Sequence, residues 1–163
     1  LAGAVLAAAI TPALCITEDN PDGGMPIEGF EGLRDQCAAD REAFLRTFIT
    51  WFFSNPSELA VTPEQFDATL AITVQGSDTA LQECIIAWAT DFRADLEKFT
   101  VPTLVIHGDS DNNVPFGPSG KRAAATIRSS TLHVVEGGPH GINVSHADEF
   151  NRTLIAFLNQ LPA

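Results

Sequence analysis

The chain begins with an unbroken apolar run, AVLAAAI at residues 4–10. Such a run without polar alternation predicts a strand buried on both faces, within a strand region spanning 1–16. Residues 17–32, TEDNPDGGMPIEGFEG, carry four glycines and two prolines among acids and predict a loop leaving that strand. Leu33, Cys37, Phe44, Phe48 and Phe52 then recur at helical spacing, predicting one or two amphipathic helices with a break at Asp40. Thr62, Pro63 and Gln65 have the arrangement of a capped helix start, with Phe66 and Leu70 on its inner stripe. A further helix from Asp78 is expected to bury Leu81, Cys84, Ile85 and Trp88. Residues 27–92 therefore read as a mainly helical, cap-like insertion.

From residue 93 the rhythm changes to strand, helix, strand, helix. VPTLVIHG is a short apolar run rich in β-branched residues, PFGPSGKRAAATIR a loop and helix, and STLHVVEG a second strand. After GPHG comes a last helix, where Ser145 and Asp148 have capping-box spacing. Val144, Ala147, Phe150, Leu154, Phe157 and Leu161 form its apolar face. Strands apolar on both faces, alternating with helices, predict an α/β fold whose parallel sheet is covered on both sides. All 163 residues fit one such domain.

Composition narrows the partners. Twenty-one acids against nine bases give a net charge of -12, which repels nucleic acid and anionic membrane surfaces alike. No stretch has the length of a membrane span. The N-terminal run lacks a Met and a basic flank, which argues against a signal peptide and predicts a fragment or a processed product. Cys15, Cys37 and Cys84 are odd in number and widely spaced. That pattern predicts buried free thiols in a reducing, cytoplasmic setting rather than a disulfide framework or a zinc site.

Chemistry in an open α/β sheet gathers at the carboxyl ends of its strands. Two polar clusters fall there, HGDSDNN at 107–113 and EGGPHG at 136–141, which places Asp111 and His140 on one edge of the sheet. The alternating Asp109, Asp111 and Asn113 resemble the start of a calcium loop. Val114 stands where the turn glycine belongs and Gly120 where the bidentate Glu belongs, so that loop fails. Asp109 reads as turn chemistry. Asp111 reads either as turn chemistry or as a carboxylate orienting His140, and His140 either as an exposed loop residue or as a general base. His107 is expected to be buried and hydrogen-bonded, with His133 and His146 at strand and helix surfaces. Phe44, Phe48, Trp51, Phe52 and Phe53 suit an apolar pocket wall or ordinary core packing equally well.

VPTLVIHGDSDNNVPF, EGGPHGINVSHADEFN and WATDFRADLEKFTVPTLVIHGD together resemble the C-terminal part of an α/β-hydrolase. The likeness runs from residue 4 to 160 and is strongest to the cofactor-free bacterial haloperoxidases, the non-haem chloroperoxidases and perhydrolase-like arylesterases. The resemblance implies that the chain supplies the last three parallel strands, their flanking helices and an inserted helical region. It implies Asp111 as the triad acid and His140 as the base, with no metal or other cofactor. A serine would attack an acyl ester, and water or peroxide would release the acyl group. No serine here lies in G-x-S-x-G, and Ser119 in GPSGK has only one of the two glycines, so the nucleophile is expected upstream of Leu1. The chain alone would then be inactive. Its first strand would have a bare edge, to be met by the N-terminal half of the enzyme or by self-association. A non-catalytic binding or assembly module that retains hydrolase strands is the alternative.

Overall fold

In the computed structural model, which describes residues 1–162, a three-stranded parallel sheet lies at the centre. Its order is β1 (Ala4–Ala7), β4 (Thr103–Gly108), β5 (Ser130–Val135), with β4 in the middle. All six residues of β4 are buried, as its continuous apolar run requires when both faces and both edges are covered. A second, minimal parallel pair joins β2 (Cys15–Ile16) to β3 (Met25–Pro26). Between β1 and β4 lie five helices: α1 (Ile27–Ala39), α2 (Arg41–Phe53), α3 (Pro63–Thr73), α4 (Asp78–Ala87) and the short α5 (Arg93–Leu96). A π-helical turn at Gly117–Lys121 leads into α6 (Arg122–Thr126), and α7 (Ile142–Ser145) and α8 (Ala147–Leu158) follow β5.

Packing divides by face. Leu104, Ile106 and Val135 meet Ile142 and, from α8, Phe150 and Phe157. On the other face Leu6 packs with Leu96, Phe99, Ala123 and Ile127. The helical layer has its own core of Cys37, Phe44, Leu45 and Ile85. Phe30 is enclosed in a separate cluster with Leu14, Cys15 and Val114, and Phe53 is fully buried at the end of α2. Each of the larger buried side chains contributes about 1.5–3 kcal/mol relative to exposure.

Several elements differ from expectation for identifiable reasons. The first strand ends at Ala7 instead of residue 10, because Ala8 has φ +46 and leaves the extended region. Helix α1 begins at Ile27, inside the stretch read as loop: Gly29 and Gly32 are carried in it because Phe30 anchors its first turns in the core. The break at Asp40 is present, and its side chain accepts from Ala43 N at 3.0 Å as the cap of α2. The Thr62–Gln65 capping box is formed from both sides. Ser145 caps nothing; its Oγ donates to Gly141 O at 3.1 Å, and α8 starts at Ala147 without a side-chain cap. Cys84 is exposed, unlike Cys15 and Cys37, because α4 turns Ile85 inward. Leu132 and Val134 are more than a third exposed, since β5 is an edge strand rather than one covered on both faces.

Candidate active site

Gly108 ends β4 and Val135 ends β5, and the register pairs these two residues directly. The loops that follow are therefore neighbours from their first residue. A side chain at 108 would overlap the carbonyl of Gly138, so the second loop settles onto the end of β4 only because residue 108 is glycine. Ser110 N donates to Gly138 O at 3.1 Å, and Gly137 N, in a left-handed conformation of φ +68, donates to Asp109 Oδ1 at 2.8 Å. Asp109 thus ties one loop to the other as well as turning its own.

That tie sets Asp111 and His140 against each other. Asp111 Oδ2 accepts from His140 Nδ1 at 2.7 Å, while Oδ1 accepts from the amides of Asn113 at 2.9 Å and Val114 at 2.8 Å. The carboxylate side chain is fully enclosed and that of His140 is 20% exposed. Burial pushes the Asp111 carboxyl up, but hydrogen bonds from His107 and His140, the attraction of His140 and the Val114 amide outweigh it. The net result lies below the ordinary carboxylate range, so Asp111 is an anion and accepts only. With both oxygens committed to N–H donors, Asp111 has no lone pair aimed as a calcium ligand would need.

With Nδ1 the donor to Asp111, Nε2 is the free base position of a neutral His140. No hydrogen bond from a described residue occupies it. Phe52 stands edge-on to the ring, with centroids 4.7 Å apart and planes at 74°. The carbonyl of Phe52 also accepts from Gly141 N at 2.9 Å, so the end of α2 braces the histidine loop. The aromatic run of α2 divides its roles. Phe53 and Phe44 are core, Phe48 stacks between Phe44 and Trp88, Trp51 is 46% exposed, and Phe52 alone meets the candidate base.

The other candidates fall outside this arrangement. Ser119 is fully buried in the π-helical turn. His133 pairs with Glu149 at 2.8 Å and is half-buried. His107 is the exception: enclosed within β4, its Nε2 stands 3.2 Å from Asp111 Oδ2. Ser145 Oγ lies 2.9 Å from His146 Nδ1 beside an open cleft of about 350 Å³, but that oxygen donates to Gly141 O, which makes His146 the donor to it. The sequence offered Phe52 only as one of five aromatics suited to a pocket wall or to core packing, while the brace of Gly108 and the contact of His107 with Asp111 are absent from the sequence reading. A glycine directly after an apolar strand and before a run of aspartates was the one available signal.

No family model matches the chain. A putative non-haem chloroperoxidase of Synechocystis is 37% identical over 157 residues, covering 95% of this chain and 56% of its own length. A non-haem chloroperoxidase of Kitasatospora aureofaciens is 39% identical, with 98% and 59% covered. Its homologues are non-haem chloroperoxidases and its structural neighbours have the α/β-hydrolase fold, and the chain matches their C-terminal portion. It spans under three-fifths of the length of these chloroperoxidases. A crystal structure of a bromoperoxidase from Bacillus anthracis superimposes with a TM-score of 0.93 at 40% identity, over 97% of this chain and 58% of that one. A relative from Acinetobacter calcoaceticus described as a bifunctional esterase/perhydrolase is 33% identical over 97% of this chain and 58% of its own length.

Proposed function

We propose that this chain carries the acid and base of a serine-type acyl hydrolase acting on small carboxylic esters, the nucleophilic serine coming from a segment outside it. The observation that carries this reading is the 2.7 Å contact between the buried Asp111 carboxylate and His140 Nδ1, at the carboxyl ends of adjacent parallel strands. His140 Nε2 takes the serine proton as the oxygen attacks the acyl carbon, and Asp111 stabilises the imidazolium that results. The proton then passes to the departing alkoxide, leaving an acyl-serine. Water attacks that ester with His140 again as base and releases the acid; hydrogen peroxide in place of water releases a peracid. Phe52 provides an apolar wall beside the ring. The names of the chloroperoxidase and esterase/perhydrolase relatives support this substrate class.

In this reading the serine-bearing segment would pair with β1. The outer edge of that strand pairs with no described strand, and Val5 is 36% exposed on a face that helices cover farther along the sheet. A parallel strand added there would satisfy the free amides and carbonyls and extend the sheet away from β5.

The test is reconstitution with the matching N-terminal segment, followed by hydrolysis of an activated aryl ester. The assembled protein is expected to turn over the ester, and His140→Ala to reduce kcat at least about a thousandfold. An inactive assembly that is correctly folded, or full activity in His140→Ala, overturns the assignment.

A further inference from the structure

His107 is fully enclosed in the middle strand, and the chemistry above leaves it unused. Its Nε2 stands 2.8 Å from Val114 O and 3.2 Å from Asp111 Oδ2. A carbonyl oxygen can only accept, so Nε2 carries the proton. The opposite nitrogen, Nδ1, is buried without a hydrogen-bond partner. Gly120 closes that side, since a Cβ at position 120 would sit 2.5 Å from Nδ1. A second proton on the ring would find no acceptor there. Phe116, with its ring centroid 5.7 Å away, flanks the imidazole. The ring is therefore wedged in place with one proton in one position.

Its contacts close a circuit around the carboxylate. Val114 N donates to Asp111 Oδ1 at 2.8 Å, Val114 O accepts from His107, and the same N–H edge of His107 faces Asp111 Oδ2. The terminal torsion of an aspartate is broad and soft, so nothing in the side chain itself fixes where its two oxygens point. With Oδ1 held by backbone amides and Oδ2 flanked by His107, the carboxylate has one rotation, and in that rotation Oδ2 meets His140 Nδ1.

We propose that His107 is a positioning residue: a single-tautomer imidazole that sets the rotation of the Asp111 carboxylate and so the alignment of His140. Only the catalytic consequence rests on the function proposed above; the alignment itself has a separate readout.

Both are measured in the assembled polypeptide that carries this chain and its nucleophile segment. Imidazole ¹⁵N spectra of the unsubstituted protein are expected to show His107 protonated at Nε2, and the His140 Nδ1 proton far downfield in its hydrogen bond to Asp111. In His107→Leu that downfield signal is expected to move upfield or broaden, and kcat for the aryl ester to fall about tenfold to a hundredfold with KM unchanged. His107→Gln, whose amide N–H can stand in for Nε2–H, is expected to restore both. A His107 protonated at Nδ1 overturns the proposal without any substitution, and so decides the matter if the leucine variant fails to fold. A folded His107→Leu with an unchanged His140 signal overturns it even where the ester is hydrolysed. A shifted signal in a protein with no esterase activity upholds the positioning role and sinks the catalytic reading instead.

Discussion

Asp111 accepts on both oxygens inside a closed site, and its stability should follow pH accordingly. Its carboxyl lies below the ordinary range when folded and returns to about 3.9 when unfolded, so the unfolded chain binds the proton more readily. The stabilisation is full above the unfolded value and is lost as pH falls through the folded one. Asp111→Asn should flatten the acid limb of stability below about pH 5 and cost roughly 2–4 kcal/mol at neutral pH, as read by urea unfolding. Gly108→Ala should be worse tolerated than its single methyl suggests. The added Cβ meets the backbone of Gly138 and Pro139, and a loss of at least about 3 kcal/mol in thermal unfolding is expected. At this scale the sequence made Asp111 and His140 legible, because each follows an apolar strand. His107 was expected to be buried and hydrogen-bonded, but neither its partners, Val114 O and Asp111, nor the contact of Phe52 with His140 was legible, since these follow from how the loops after β4 and β5 and the end of α2 fold onto one another.

Helix starts are the elements that local chemistry specifies best. Asp40 both ends α1 and caps α2, and Thr62 with Gln65 closes a reciprocal box; both follow from side chains reaching amides three residues away. Asp40→Ala should cost about 1 kcal/mol in urea unfolding, while Ser145→Ala, at a position with cap spacing but no cap, should lose less. Residues 27–32 were read both as the end of a loop, because glycines argue locally for one, and as the start of the helical region; the burial of Phe30 overrides the glycines and decides for helix, and α1 begins at Ile27. The same override separates α2 from its periodicity: Phe52 lies next to the buried Phe53 and reaches His140 only because α2 is packed where it is.

For the molecule as a whole, the unpaired side of β1 is the feature with the widest consequence. Bare strand edges recruit other strands, so the chain on its own is expected to self-associate at micromolar concentration, and Val5→Lys to suppress it. Sedimentation equilibrium checks this, and a monomer across the concentration range would sink it. The parallel α/β class was readable because apolar, β-branched runs alternate with helical ones; of the three strands only β4 is buried on both faces, β1 and β5 being partly exposed, and the two polar clusters were readable as strand ends because they follow such runs. Those signals are local in the chain. The sequence alone determined which residue types stand at the carboxyl ends of the strands. Only the tertiary structure decided that β4 and β5 pair with Gly108 opposite Val135, that Gly138 rests on Gly108, and that one carboxylate oxygen faces His140. These depend on approaches between segments far apart in the chain, where packing and hydrogen bonding choose among rotations and registers that local propensity leaves equal.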